Sequence, residues 1–215
     1  MKTFIIINKI LLITALNLFA QSSNLAHLDS ALHYVGITEL TGNNDGPEVE
    51  MFQKSVGLHK GNSWCAAFVY YCISVNDVIY PKVKSGLARH YKTKRSIKAK
   101  HVLQGTSTAY KGMIGGYEKG NTIFGHLLLV TDDWNGKYGK TIEGNTSSGT
   151  SGSQSNGDGV YLRNRGIYPG NYFRITWFTP VEYDYSYLGP ILLKPKPLTT
   201  IESFKKIIIL LKFSQ

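Results

Sequence analysis

The chain has 215 residues, 42% of them hydrophobic, and a formal charge of +10. That length supports one domain with a full core and leaves little room for a second. An aromatic content of 12%, with 14 Tyr, excludes disorder over most of the chain, and the basic excess favours anionic partners: nucleic acid, an acidic membrane surface or an acidic cell-wall polymer.

Residues 1–20 fit a secretory signal. Lys2 and Lys9 give a positive start, an apolar run follows from Ile10, and Leu18-Phe19-Ala20 makes an imperfect small-residue cleavage site. An anchor helix is the other reading, but Lys9 and Asn17 cut the apolar run below the ~20 residues a span needs. Cleavage would leave 22 basic and 14 acidic residues, a charge of +8, in a secreted or periplasmic protein.

Leu25, Leu28, Ala31, Leu32 and Val35 then follow helical spacing, with Gly36 as a stop. Asn43-Asn44-Asp45-Gly46 forms a turn. Its Asn44 and Asp45 serve either as turn and cap residues or as part of a cleft lining. Pro47 opens a second helix carrying Val49, Phe52 and Val56, and Gly57 closes it. Residues 64–75 are apolar nearly all round, which predicts a helix buried through the domain centre. Residues 82–101 hold eight Lys and Arg and no acidic residue. This stretch is either a solvated face or a landing strip for a polyanion. With no aromatic platform or nucleic-acid motif beside it, a wall polymer is favoured over DNA or RNA.

Residues 122–132 predict a buried strand, with Ile123, Phe124, Leu127, Leu128, Leu129 and Val130 around His126. Asn135-Gly136 signals a hairpin and residues 137–143 the returning strand. The Ser-, Thr- and Gly-rich residues 146–159 suggest a mobile loop. Residues 159–163 and 171–178 give two further strands. Helices first and a strand meander afterwards make an α+β domain over residues 21–182. Residues 183–215 form a Pro-containing linker and a basic amphipathic tail, for which surface binding, packing and fraying all remain open.

Chemistry concentrates at Cys65. It follows Asn62-Ser63-Trp64 at the predicted start of the central helix, where unpaired N–H groups and about half a positive charge favour the thiolate. Cys72 lies seven residues on, about 10.5 Å along the helix, too far for a disulfide. It is expected to pack as a small hydrophobe. A nucleophilic thiol needs a base and an orienting group brought to it by the fold. His27, His33, His59, His90 and His101 are expected at the surface. His126 sits in an apolar strand, where an unsatisfied ring would be costly. Glu143 on the neighbouring strand can accept its N–H, and Asn145 would share that face if the strand persists.

Together, Asn62-Ser63-Trp64-Cys65-Ala66-Ala67-Phe68-Val69, Phe124-Gly125-His126-Leu127 and Thr141-Ile142-Glu143-Gly144-Asn145 resemble the cysteine, histidine-dependent amidohydrolase/peptidase (CHAP) family. This is a branch of the papain-like NlpC-type wall hydrolases. The resemblance covers residues 25–178. It implies a papain-like fold with N-terminal helices packed on an antiparallel β-sheet and the nucleophile at the N-terminus of the central helix. It implies Cys65 as nucleophile, His126 as base, Glu143 as orienting residue and Asn145 as an auxiliary polar group; Trp64, Asn44 and Asp45 are the candidates for the substrate side, read from their places beside Cys65 and in the turn. The implied activity is cleavage of amide bonds in peptidoglycan by a monomeric chain that needs no cofactor and takes no nucleic acid partner. Two departures stand out. Gly112-Met113-Ile114 lacks the acidic residue many relatives carry before the His strand. Residues 58–63 lack the carboxylates with which some members bind calcium, so no metal is expected. Two alternatives stay open: an inactive wall-binding relative, and a toxin-type cysteine protease or acyltransferase. A metal site from Cys65, His126 and Glu143 is conceivable but lacks a fourth ligand.

Overall fold

The computed structural model describes residues 25–184 apart from 121, 150–151, 154–155 and 169–174; the signal segment and the tail beyond 184 lie outside the described residues. Among the described residues, three helices come first: α1 (Ala26–His33), α2 (Pro47–Ser55) and α3 (Cys65–Ser74). After β1 (Val78–Tyr80) come a 3-10 turn (Ala88–Tyr91), β2 (Ile97–Lys98), a short α4 (Ala99–Leu103), β3 (Ile114–Glu118), β4 (Gly125–Val130), β5 (Tyr138–Thr146), β6 (Gly159–Gly166), β7 (Trp177–Thr179) and β8 (Glu182–Tyr183). Six strands pair antiparallel in the order β2-β7-β3-β4-β5-β6, and β1 pairs with β8. This is a mixed α+β architecture of helices and an antiparallel sheet.

The central strand β4 is apolar at successive positions because two cores cover the sheet. Leu127 and Leu129 join the cluster built on α1–α3, with Phe52, Phe68 and Ile142. Leu128 and Val130 join a second cluster with Val102, Trp134 and Phe178. A period-2 strand buried on both faces loses its polar alternation. Helix α3 is the hub of the first cluster. Phe52 of α2 stacks on Trp64 at 5.8 Å and meets Phe68 edge-on at 5.4 Å.

The α2 bounds match its Pro47 start and its Gly57 stop at φ 78°. Other expectations need correction. Strand β3 was hidden by Gly115 and Gly116, which lower strand propensity. A Cβ on Gly115 would lie 2.5 Å from Leu128 and one on Gly116 2.6 Å from Trp177, so these neighbours occupy the missing side-chain space. Ile123 and Phe124 are outside the strand and exposed, at 57% and 64%. Their backbone belongs to a turn, with Lys119 N–H donating to Phe124 O (2.8 Å) and Thr122 Oγ1 to Lys119 O (2.6 Å). Within the polar loop after β5, Ser147 N–H donates to Ser153 O (3.1 Å), and Ser63 Oγ donates to Asn156 Oδ1 (3.1 Å). Two cations of the basic stretch pair elsewhere in the chain, Lys92 with Glu118 at 3.2 Å and Arg95 with Glu182, while both stay about half exposed.

His27 is not a surface residue: it is 1% exposed. Its Nε2 donates to Gly112 O (2.7 Å), its Nδ1 accepts from Tyr183 Oη (2.5 Å), and its backbone N–H donates to the same hydroxyl (2.9 Å). Tyr183, read from sequence as the start of the tail, thereby ties α1 to β8. Burial holds His27 down to about 4, against the opposing pull of the Gly112 carbonyl. An unfolded chain therefore binds the extra proton first, and stability falls as pH drops from about 6.5 toward 4. We expect a loss of about 3 kcal/mol across that range, measured by urea unfolding. His27→Gln should be less stable at pH 7 and nearly insensitive between pH 6.5 and 4.5.

Candidate active site

Cys65 is the first residue of α3, and no side chain caps that helix; Trp64 occupies the N-cap. The first-turn N–H groups and the positive end of the macrodipole are thus left to the thiol. Cys65 is 6% exposed and both cysteines are free. Burial opposes ionisation of the Cys65 thiol. The His126 ring beside it, with Leu127 and Ala66 N–H, outweighs burial and brings the thiol below its ordinary range. Cys72, fully buried and without such partners, is pushed far up. Two cysteines on one helix therefore differ in reactivity through their surroundings alone.

The His126 ring is 1% exposed, and its Nε2 lies 2.9 Å from Oε2 of the fully buried Glu143. The other ring nitrogen, Nδ1, is buried and has no hydrogen-bond partner among the described residues; the Cys65 thiol is near enough to the ring to favour its charged form. Burial pulls His126 down, but Cys65 and Glu143 together raise it to about 9. Burial would push Glu143 up, but Arg165 and His126 hold it at about 2. The imidazole is thus hydrogen-bonded to the glutamate on one side and electrostatically linked to the cysteine.

The triplet 143–145 positions both halves of the site. Glu143 holds the imidazole. A Cβ at Gly144 would lie 2.7 Å from the Trp64 ring and 2.8 Å from Phe68, so only glycine lets α3 sit this close to β5. Asn145 lies within β5 but breaks its alternation: its φ is 56° and the β5–β6 register shifts between Glu143 and Thr146. With its amide oriented to satisfy both neighbours, Oδ1 accepts from Trp64 N–H and Nδ2 donates to Gly157 O, each at 2.8 Å. Asn145 therefore fixes the backbone entering Cys65, and neither of these two partners is the imidazole. Gly125 has a similar steric reason, because a Cβ there would lie 2.3 Å from Tyr117 O.

Cys65 lines a cleft of about 620 Å³. Asn44, Asn62, Ser63, Ser153 and Asn156 give it polar lining, and Leu58, Leu87, Ile123 and Phe124 apolar lining. Of the three residues placed on the substrate side from sequence, Asn44 alone lines this cleft. Trp64 is fully buried, and its indole N–H donates to Glu39 Oε1 (2.9 Å). Asp45 is 3% exposed; it accepts Thr41 N–H and Thr41 Oγ1, each at 2.9 Å, and pairs with Lys60. Both are structural here. Met113, at the position where the resemblance expects an acid, packs in the second core.

Sequence reasoning missed Arg165, which donates from Nε to Glu143 Oε1 (2.7 Å) and from Nη2 to Oε2. Thr141 Oγ1 also donates to Oε1, at 2.6 Å. The signal was present: Tyr161, Arg163 and Arg165 alternate on β6, which pairs residue by residue with β5. Ending that strand at Arg163 concealed the third. Among the described residues, no cluster of three His, Cys, Asp or Glu side chains is arranged to hold a metal ion. Set against protein-family models, curated proteins and solved structures, the chain matches none.

An ionised thiol beside a protonated imidazole exists only between the two titrations. The rate of Cys65 alkylation by iodoacetamide should rise with pH at a point below the ordinary thiol value of about 8.5. A second inflection should fall near 9, where His126 loses its proton. Cys72 should stay unlabelled while the chain is folded, as peptide mass spectrometry of the labelled chain would report.

Proposed function

We propose that the chain is an exported cysteine hydrolase of the papain-like CHAP type that cleaves amide bonds of bacterial peptidoglycan. The observation that carries the reading is the Cys65–His126–Glu143 array, with its base fully buried and its thiol at a helix N-terminus lining a cleft. The substrate class draws on the motif resemblance and on the basic charge of the chain, which suits an anionic wall.

The chemistry follows from the roles. The Cys65 thiolate attacks the scissile carbonyl carbon, forming a C–S bond and placing charge on the oxygen. First-turn N–H groups of α3 stand nearest to receive that charge; losing one such donor typically costs ~10²–10³ in rate. Protonated His126 delivers its Nδ1 proton to the leaving nitrogen as the C–N bond breaks, which leaves a thioester and a neutral ring. His126 then takes a proton from water, whose oxygen attacks the thioester and releases the acid and the thiolate. Glu143 holds the ring through Nε2 and stabilises its charged form throughout.

A second reading, wall binding without turnover, draws on the low exposure of Cys65. Digestion of purified peptidoglycan by the intact chain and by Cys65→Ala, with mass spectrometry of the soluble fragments, separates the two. The hydrolase reading expects products from the intact chain alone. Binding with equal silence from both proteins would favour the second reading.

The apolar edge of the cleft yields a separate expectation. Phe124→Ser removes an exposed ring held on a hydrogen-bonded turn beside Cys65 and leaves the core alone. It should raise KM severalfold with kcat nearly unchanged, the mark of lost uniform binding. Steady-state kinetics on solubilised wall fragments would measure it.

A further inference from the structure

Glu143 has no exposed surface and receives four donors. His126 Nε2 and Arg165 Nη2 meet Oε2; Thr141 Oγ1 and Arg165 Nε meet Oε1. The guanidinium thus grips both oxygens, and its Nη2 also donates to Thr146 Oγ1 (3.1 Å) at the end of β5. Such a fork fixes the plane of a carboxylate, which a lysine ammonium cannot do. The Arg165 side chain is itself only 15% exposed, so this is a buried charge pair rather than a surface one.

Resting on the thiolate–imidazolium reading above, we propose that Arg165 is a positioning residue: its fork locks the plane of Glu143 toward His126, and its positive charge sets the pH window in which the Cys65–His126 pair is reactive. The groups around that pair come from five elements. They are Cys65 on α3, Tyr91 in the 3-10 turn, Tyr117 on β3 with its ring 6.0 Å from that of His126, Glu143 on β5, and Arg163 and Arg165 on β6. Of the two arginines, Arg165 is the one in direct contact with Glu143. Thiolate, imidazolium, carboxylate and this guanidinium sum to zero. Removing the guanidinium leaves a net negative cluster out of water, and every titrating member then holds its proton more tightly.

The test is the pH dependence of Cys65 alkylation by iodoacetamide in the full chain, followed by peptide mass spectrometry, for wild type, Arg165→Met and Arg165→Lys. In Arg165→Met both inflections should move up by about one pH unit. Arg165→Lys keeps the charge and loses the fork, so its inflections should stay near the wild-type values while the plateau rate falls. A merely structural role predicts lower amplitude in both variants with no shift, and that result overturns the proposal. So does a shift as large in Arg165→Lys as in Arg165→Met. Should circular dichroism show Arg165→Met unfolded, Arg165→Lys decides alone: a wild-type plateau, or displaced inflections, overturns it. The reagent needs no wall substrate, so failure of the hydrolase reading would leave this measurement intact. Failure of the proposal would likewise leave the digestion result standing.

Discussion

A carboxylate and an imidazole with almost no exposed surface can stay charged only if each is paired within the protein, because water is no longer there to solvate them. Glu143 and His126 are such a pair, and the elements around them supply the compensation. Strand β6 brings Arg165, β5 adds Thr141, and α3 brings the thiol whose charge favours the protonated ring. Each member alone would be discharged by burial. Together they keep the thiol low and the imidazole high, the polarity a cysteine nucleophile requires.

Packing delivers the thiol to this pair. Helix α3 is apolar over most of its surface and lies buried against the sheet, so its position is set by side-chain contacts. The aromatic group of Phe52, Trp64 and Phe68 fixes its first turn, and Gly144 removes the one Cβ that would hold it off β5. Two polar ties lock the register: Trp64 through its indole to Glu39, and through its backbone N–H to Asn145. The nucleophile is therefore placed by the residue before it, which is inside the core rather than in the cleft.

Much of this was legible in the chain. The buried central helix announced itself by its apolar run, and Cys65 by standing at its start. His126 and Glu143 followed from an apolar strand and a hairpin that pairs it with its neighbour. Other features were hidden for physical reasons. Gly115 and Gly116 carry no strand signal, since their role is to leave space for Leu128 and Trp177. Ile123 and Phe124 look like core until the turn at residues 119–124 claims their backbone. His27 looked like a polar residue on an amphipathic face because its partners, Gly112 and Tyr183, are far away in sequence. Arg165 was hidden because the strand was ended at Arg163, one step of the alternation short of it. Asn145 was found, but its partners Trp64 and Gly157 were not, because a positive φ breaks the alternation on which its placement relied.

The central claim is that His126 carries the proton and Cys65 the negative charge in the folded protein, so that the thiolate exists where a free cysteine would be neutral. Ultraviolet absorbance of the thiolate, titrated with pH in the intact chain and in Cys65→Ser, tests this most directly. The account predicts a thiolate signal at neutral pH, well below the ordinary thiol midpoint of about 8.5, that is absent from Cys65→Ser. A signal that first rises at or above that midpoint, or one that survives the substitution, would contradict it.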